Sequence, residues 1–357
     1  MATPGAPAVT AGVSRQRLRA QLLSGPPAAG PVEVVGRILA VQAQDGRGFR
    51  LAVRARSTST TAADVERCLT TDRSLVVDWL CRGTLHLVRA EDHAWLHALT
   101  TPQVATGSAR RLAQVGVSPD QTETGIRVVE IALRDDGPHT RDQLRTRLDL
   151  AGVPTARQAL VHVLLAASLR GACVRGPVVG TEQAFVHPVD WLGPPLAVDR
   201  DVALAELARR YLAGHGPARD RDLAVWAGLP LRDVRRGLAA ISAHLVELPD
   251  GLLRLRSSPA EVDELPPPRL LGPFDPVLHG WAARDWVVDP ECRDVVTSNG
   301  VFRPIALVDG RATATWRLAK GILTRIPLPG ASVSAAGAAA LDSDAEAVLT
   351  YLRLDPG

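Results

Sequence analysis

The run Leu39-Ala40-Val41-Gln42-Ala43-Gln44-Asp45 ends an apolar stretch on two carboxamides and a carboxylate, just ahead of Gly46 and Gly48. Side chains at i and i+2 point to opposite sides of a helix but to the same side of an extended segment. If the helix ends near Gln42, both amides face one small volume. Two amides offer donors and acceptors together without carrying charge, so they can orient a water molecule or a sugar edge. The competing reading of all three residues is a polar helix end beside a loop.

Other chemistry-bearing residues are less organised. His86, in Leu85-His86-Leu87, reads as a core or edge histidine of a strand. His279 lies in Phe274-Asp275-Pro276-Val277-Leu278-His279-Gly280-Trp281, a structural motif in which Pro276 and Gly280 set turns. Cys68, Cys81, Cys173 and Cys292 lie far apart, with no CxxC pair and no histidine at ligand spacing. Free buried thiols are expected, with no metal and no disulfide. There is no P-loop, dinucleotide fingerprint or Ser-His-Asp arrangement, and no cofactor is expected.

The elements that must position the amides repeat along the chain. Thr124–Arg134 has helical periodicity and is followed by the break Asp136-Gly137-Pro138 and a short helix, Arg141–Leu148. A turn through Gly152 leads to Thr155, an N-cap for a helix to about Leu169. Strands at Ala172–Arg175 and Gln183–Val186 follow, joined by a glycine-bearing loop. The order recurs as helix Val202–Ala213, helix Asp220–Ala227, helix Leu231–Ile241 and strands His244–Leu248 and Leu252–Leu255 about Pro249-Asp250-Gly251. Helix, helix–turn–helix, hairpin is the order of a winged helix, and its repetition marks an internal repeat.

A diverged third copy precedes these two: Ser14 caps a helix to about Leu23, Pro31 opens one running into Gln42, and Thr61 caps one through Leu69. Val76–Leu80 and Thr84–Val88 read as strands. The C-terminal part is β-rich, with Val301–Val308 and Ala312–Leu318 turned by Asp309-Gly310, a strong hairpin signal. Gly330–Ala340 reads as a linker and Ser343 as the start of a last helix. The expected class is α+β: three tandem winged helix-turn-helix modules (14–118, 119–196 and 197–258), a β-rich part with a DNA-facing hairpin (259–328), and a linker with a terminal helix (329–357).

At 357 residues two or three domains are expected. A net charge of +3 does not by itself demand nucleic acid, but Lys320 is the only lysine among 41 basic residues. Guanidinium groups make phosphate forks wherever they cluster. The candidate clusters are Arg50, Arg54 and Arg56; Arg110 and Arg111; Arg232, Arg235 and Arg236 on one face of a recognition helix; and Arg303, Arg311 and Arg317 along the Asp309-Gly310 hairpin. Met1–Val13 has no apolar core of the kind a signal peptide carries, and no apolar run is long enough to span a bilayer. A cytoplasmic monomer is expected.

The segments AVQAQDGRGFRLAVRAR, RGTLHLVRAEDHAWL, LLGPFDPVLHGW and VFRPIALVDGRATATWR, with the tandem modules, resemble the AlkZ family of bacterial winged-helix DNA glycosylases, over roughly Ser14–Leu328. The resemblance implies that Gln42 and Gln44 are the family's Gln-x-Gln catalytic pair, with Asp45 adding electrostatic support to the hydrolysis of an N-glycosidic bond. A related branch carries Asp second, so Gln44 implies the crosslink-unhooking type. It further implies double-stranded DNA with alkylated or crosslinked purines as partner, and a role in repair or in self-resistance to a DNA-alkylating metabolite. Two alternatives are a winged-helix regulator without catalysis and, more remotely, a small-molecule binder on the same scaffold.

Overall fold

Serine and threonine caps set several helix starts in the computed structural model, which describes residues 9–179, 182–194 and 197–353, apart from the side chains of Arg293 and Arg353. Ser118 and Thr140 each close a capping box, with Gln121 and Gln143, at the starts of Pro119–Asp136 and Arg141–Leu150. Each box satisfies two otherwise orphaned donors. Thr61 caps Ala62–Thr70 as expected, its hydroxyl accepting from the Asp64 N–H. Two caps differ from expectation. Thr10 rather than Ser14 caps Ala11–Ala20. Thr155 donates to the Asp149 carboxylate at 2.6 Å, and its helix begins later, at Ala159.

The chain is a mixed α+β protein of two compact units. One is built from Glu66–Ala203 with Ala227–Leu229. Four of its strands lie antiparallel in the order Leu85–Arg89, Leu75–Trp79, Val174–Val179 and Glu182–Val186. Residues 180–181, in the glycine-bearing loop, lie outside the described residues. Leu133, Leu144, Leu148, Leu160, Leu164 and Phe185 share one core, so the helices Pro119–Asp136, Arg141–Leu150 and Ala159–Leu169 pack together on the hairpin. Buried Asp78 is fully engaged: it accepts from Ser168 Oγ at 2.5 Å and the Trp79 N–H at 2.8 Å, and meets His93 Nε2 at 2.8 Å. His86 is buried in its strand with Nδ1 2.9 Å from the Thr84 carbonyl.

The second unit draws on the described parts of Met1–Val65, Leu204–Trp226 and Pro230–Pro356. Its sheet is antiparallel in the order Ile322–Pro327, Arg311–Ala319, Ile305–Val308 and Arg269–Leu271. The third strand starts at Ile305 rather than Val301 because Pro304 has no N–H to give a ladder. Gly330–Ala340 is not all linker: a helix spans Ala335–Arg353. Alanine is the strongest helix former, and burial of Leu341, Val348 and Tyr351 against Leu270 and Trp316 supplies the tertiary support. The helices Arg200–His215, Asp220–Ala227 and Leu231–Ala240 and the hairpin Leu245–Leu248 with Leu252–Leu255 repeat the element order seen at 119–186. All four cysteines are buried thiols outside any disulfide; burial pushes the Cys81 thiol up to about 11. Among the described residues no helix is long and apolar enough to cross a membrane.

One buried group carries a stability prediction. His215 is fully enclosed, stacked on Tyr211 with ring centroids 4.6 Å apart. Burial lowers its imidazole to about 3. An unfolded histidine titrates near 6.5, so below that pH the unfolded chain takes up a proton that the native state refuses. Stability of this unit is therefore expected to fall, by up to about 1.4 kcal/mol per pH unit from this group, between pH 6.5 and 3. Urea midpoints measured across that range check it, and His215→Phe should flatten the slope.

Candidate active site

The helix Pro31–Ile38 stops before the glutamines because Leu39 turns out of it at φ 72°. A bulky residue with positive φ is strained, at a cost on the order of 1–3 kcal/mol, and persists only where its surroundings over-determine it. Here the Leu39 side chain is completely buried. The sequence reading ran this helix on to Gln42. Instead Val41 and Gln42 are extended and Asp45 begins the next helix, Gly46–Arg54. The extended backbone puts the two amides on one side, as the i, i+2 spacing requires. Gln42 Nε2 donates to Gln44 Oε1 at 2.6 Å. Gln42 is buried, whereas Gln44 is exposed. The inner amide thus fixes the outer one.

Asp45 is committed to structure. Its Oδ1 accepts from the backbone N–H groups of Arg47 and Gly48, at 2.9 and 2.7 Å, which makes it the N-cap of Gly46–Arg54. Asp45→Ala is expected to cost about 1 kcal/mol, and Asp45→Asn, which keeps the cap, a few tenths. Near-equal turnover of Asp45→Asn and wild type is the outcome a cap predicts; a large loss would mean that the charge itself is used.

Four contacts clamp that helix, and none was visible in the sequence. A Cβ on Gly48 would lie 2.4 Å from the Pro273 carbonyl oxygen, and one on Gly272 would lie 2.9 Å from Leu51 Cβ, so two glycines allow the close approach. Tyr351 donates to the Arg50 carbonyl at 3.0 Å. Arg54 pairs with Asp344 at 2.7 Å. At the far end Arg56 is wholly buried and makes a two-pronged pair with Asp275, at 2.8 and 2.7 Å, while also donating to Gln21. Only the Gly272-Pro273 dipeptide hinted at a turn, and nothing in the sequence tied it to Gly48.

These contacts redistribute the arginines. Arg56 is a core ion-pair residue and Arg54 is part-buried against Asp344; neither can meet a phosphate. Arg50 is half-buried, donating to the Gly46 carbonyl at 2.7 Å with its guanidinium 4.8 Å from the Phe49 ring centre. On Leu231–Ala240, Val234 and Leu238 are buried and Arg232, Arg235 and Arg236 are exposed. Arg235 is paired with Asp220 at 2.7 Å. Arg110 and Arg111 are exposed on the helix Ala90–Gln114, in the other unit. Arg303 is exposed before its strand; Arg311 is exposed but donates to the Asp285 carbonyl at 2.7 Å.

The Asp309-Gly310 turn forms as expected, with both residues at positive φ, but it does not project. Gly310 is buried, and a Cβ there would lie 2.7 Å from Leu18. The exposed turn is the next one, Lys320-Gly321, also with both φ positive, joining Arg311–Ala319 to Ile322–Pro327. Arg317 and Lys320 are exposed on this hairpin and Ile322 is 67% exposed. Among the described residues no three His, Cys, Asp or Glu side chains gather to hold a metal ion.

The scaffold presents a paired-amide elbow on a mixed α+β fold, and the chain belongs to the AlkZ-like DNA glycosylase family, whose model matches residues 35–351. It is 29% identical over 322 residues to an interstrand DNA cross-link repair glycosylase from Streptomyces sahachiroi, covering 83% of this chain and 84% of the relative. Among solved structures it is similar to the S. sahachiroi DNA glycosylase AlkZ, with a TM-score of 0.76, 26% identity and coverage of 95% of each chain.

Proposed function

We propose that this glycosylase hydrolyses the N-glycosidic bond of N7-alkylated purines in duplex DNA, and that it unhooks interstrand crosslinks built on such purines. The observation that carries the reading is the 2.6 Å contact between buried Gln42 and exposed Gln44. Alkylation at N7 makes the purine cationic, so the electrons of the C1′–N9 bond flow readily into the base and the leaving group departs neutral. The sugar becomes oxocarbenium-like, and little acid catalysis is needed. What remains is to place a water at C1′.

Gln44 Oε1 has one lone pair taken by Gln42 and one left to accept from that water. As the water oxygen bonds to C1′ its protons become strongly acidic, so a neutral amide followed by bulk solvent suffices as acceptor. The products are a free base and an abasic hemiacetal, which makes the enzyme monofunctional. Gln44 is the catalytic residue; Gln42 and Asp45 are positioning residues.

We assign DNA holding to three winged-helix modules, 14–118, 119–196 and 197–258, and to the β-rich part 259–328, followed by the linker and terminal helix of 329–357; the chain works as a monomer. The repeated helix–helix–helix–hairpin order supports the second and third modules. Arg232 and Arg236 on Leu231–Ala240, Arg110 and Arg111, and the exposed hairpin tip with Arg317 and Lys320 are the proposed phosphate and groove contacts. Arg303 and, each donating to a backbone carbonyl, Arg50 and Arg311 are secondary candidates.

The experiment is incubation of the wild-type chain with an N7-methylguanine duplex and with an N7-linked crosslinked duplex, scoring strand cleavage after alkali. Abasic sites on both are expected. Product from the methylguanine duplex alone would remove the crosslink assignment, and none from either would leave a DNA-binding regulator.

A further inference from the structure

The unit built from Glu66–Ala203 with Ala227–Leu229 contains an open cleft of about 400 Å³ that lies apart from the Gln-x-Gln elbow in sequence. One wall is a face of the helix Ala90–Gln114 carrying Gln103, Ser108 and Arg111. His162, on Ala159–Leu169, supplies a second wall, and Arg82 a third, from the tight turn between Leu75–Trp79 and Leu85–Arg89. That turn runs through positive φ at both Arg82 and Gly83. Among the described residues none that lines the cleft is acidic.

Three features point to an anionic occupant. Two guanidiniums, Arg82 and Arg111, border one small volume with no carboxylate among its described lining residues. Ser108 is 7% exposed and its Oγ has no hydrogen-bond partner, and Gln103 Oε1 and His162 Nδ1 are likewise buried without one. Buried polar groups in native proteins are normally satisfied, so three orphans on one cleft call for a partner. The wall beside them is bare at Gly107, where a Cβ would meet nothing within 4 Å, which leaves room for a sugar–phosphate chain.

We propose that this cleft seats one phosphodiester of the DNA backbone, gripped by Arg82 and Arg111, with Ser108 and the reoriented Gln103 amide as neutral donors. The inference rests on the chain being a DNA glycosylase, and it names a backbone contact remote in sequence from the reacting sugar. Burial and the nearby Arg111 charge hold the His162 imidazole below its ordinary range.

The test measures affinity for undamaged duplex DNA as a function of salt, for wild type and for Arg82→Gln with Arg111→Gln; circular dichroism confirms the fold. Because both arginines are exposed, the pair is expected to fold. Loss of one neutralised phosphate should weaken binding at least about tenfold and shrink the slope of log K against log salt by about 0.9. A second arm titrates inorganic phosphate and follows the His162 ring resonances by NMR, expecting a saturable shift at millimolar phosphate that Ser108→Val weakens. An unchanged salt slope overturns the proposal. If the slope is unchanged while phosphate still shifts His162, the cleft takes free phosphate and not DNA. The glycosylase reading fails separately, through absence of base release by the wild type.

Discussion

Gln44→Ala is expected to lower single-turnover release of N7-methylguanine by about a hundredfold to a thousandfold, the range seen when one pre-placed hydrogen-bonding group is removed from a transition state. Affinity for the damaged duplex should stay within about twofold, because an exposed neutral amide contributes little to phosphate-led binding. The pH profile should be flat through neutrality in wild type, since neither amide titrates. A regulator has no need of the elbow, and for it the substitution would be silent in every assay.

Arg56→Ala is expected to have the largest effect on stability. Arg56 and Asp275 are both fully buried, and truncating one partner leaves an uncompensated charge in the core. The cost is about 3–5 kcal/mol, or roughly 10 °C in the melting midpoint. Asp275 also accepts from the Val277 N–H at 3.0 Å, so Asp275→Ala should cost at least as much. The double variant Arg56→Met with Asp275→Ala should recover part of the loss, since no lone charge remains. Calorimetry on the three variants checks this. The pair also ties the end of the elbow helix to the segment that abuts Gly48, so base release below the melting range should fall as well. Were Arg56 a phosphate contact, its loss would weaken DNA binding and leave the midpoint alone.

How much of this was legible in the sequence depended on how local the cause is. The Asp309-Gly310 turn, the helix Asp220–Ala227 and the strand Leu252–Leu255 lie where turn residues and periodicity put them, because their causes sit within a few residues. The Gln-x-Gln spacing likewise announced a shared face. The end of the preceding helix did not: Leu39-Ala40-Val41 is helix-compatible, and only tertiary burial forces Leu39 to positive φ. Arginine roles were least legible, because spacing shows which guanidiniums share a face but not whether a carboxylate such as Asp275 or Asp344 waits for them. Nor could the sequence tell which of two type I′-like turns would stand free. Gly310 is packed on Leu18, and Lys320-Gly321 is not.

The elbow works only if the inner amide acts through the outer one, and a double-mutant cycle on base release tests that most directly. Rates for wild type, Gln42→Ala, Gln44→Ala and the double variant are compared under single-turnover conditions on the N7-methylguanine duplex. Gln42→Ala is expected to cost at least tenfold in the wild-type background and almost nothing once Gln44 is alanine, as for residues that function as a unit. An equal cost in both backgrounds, or a Gln44→Ala enzyme at near wild-type speed, would contradict the account.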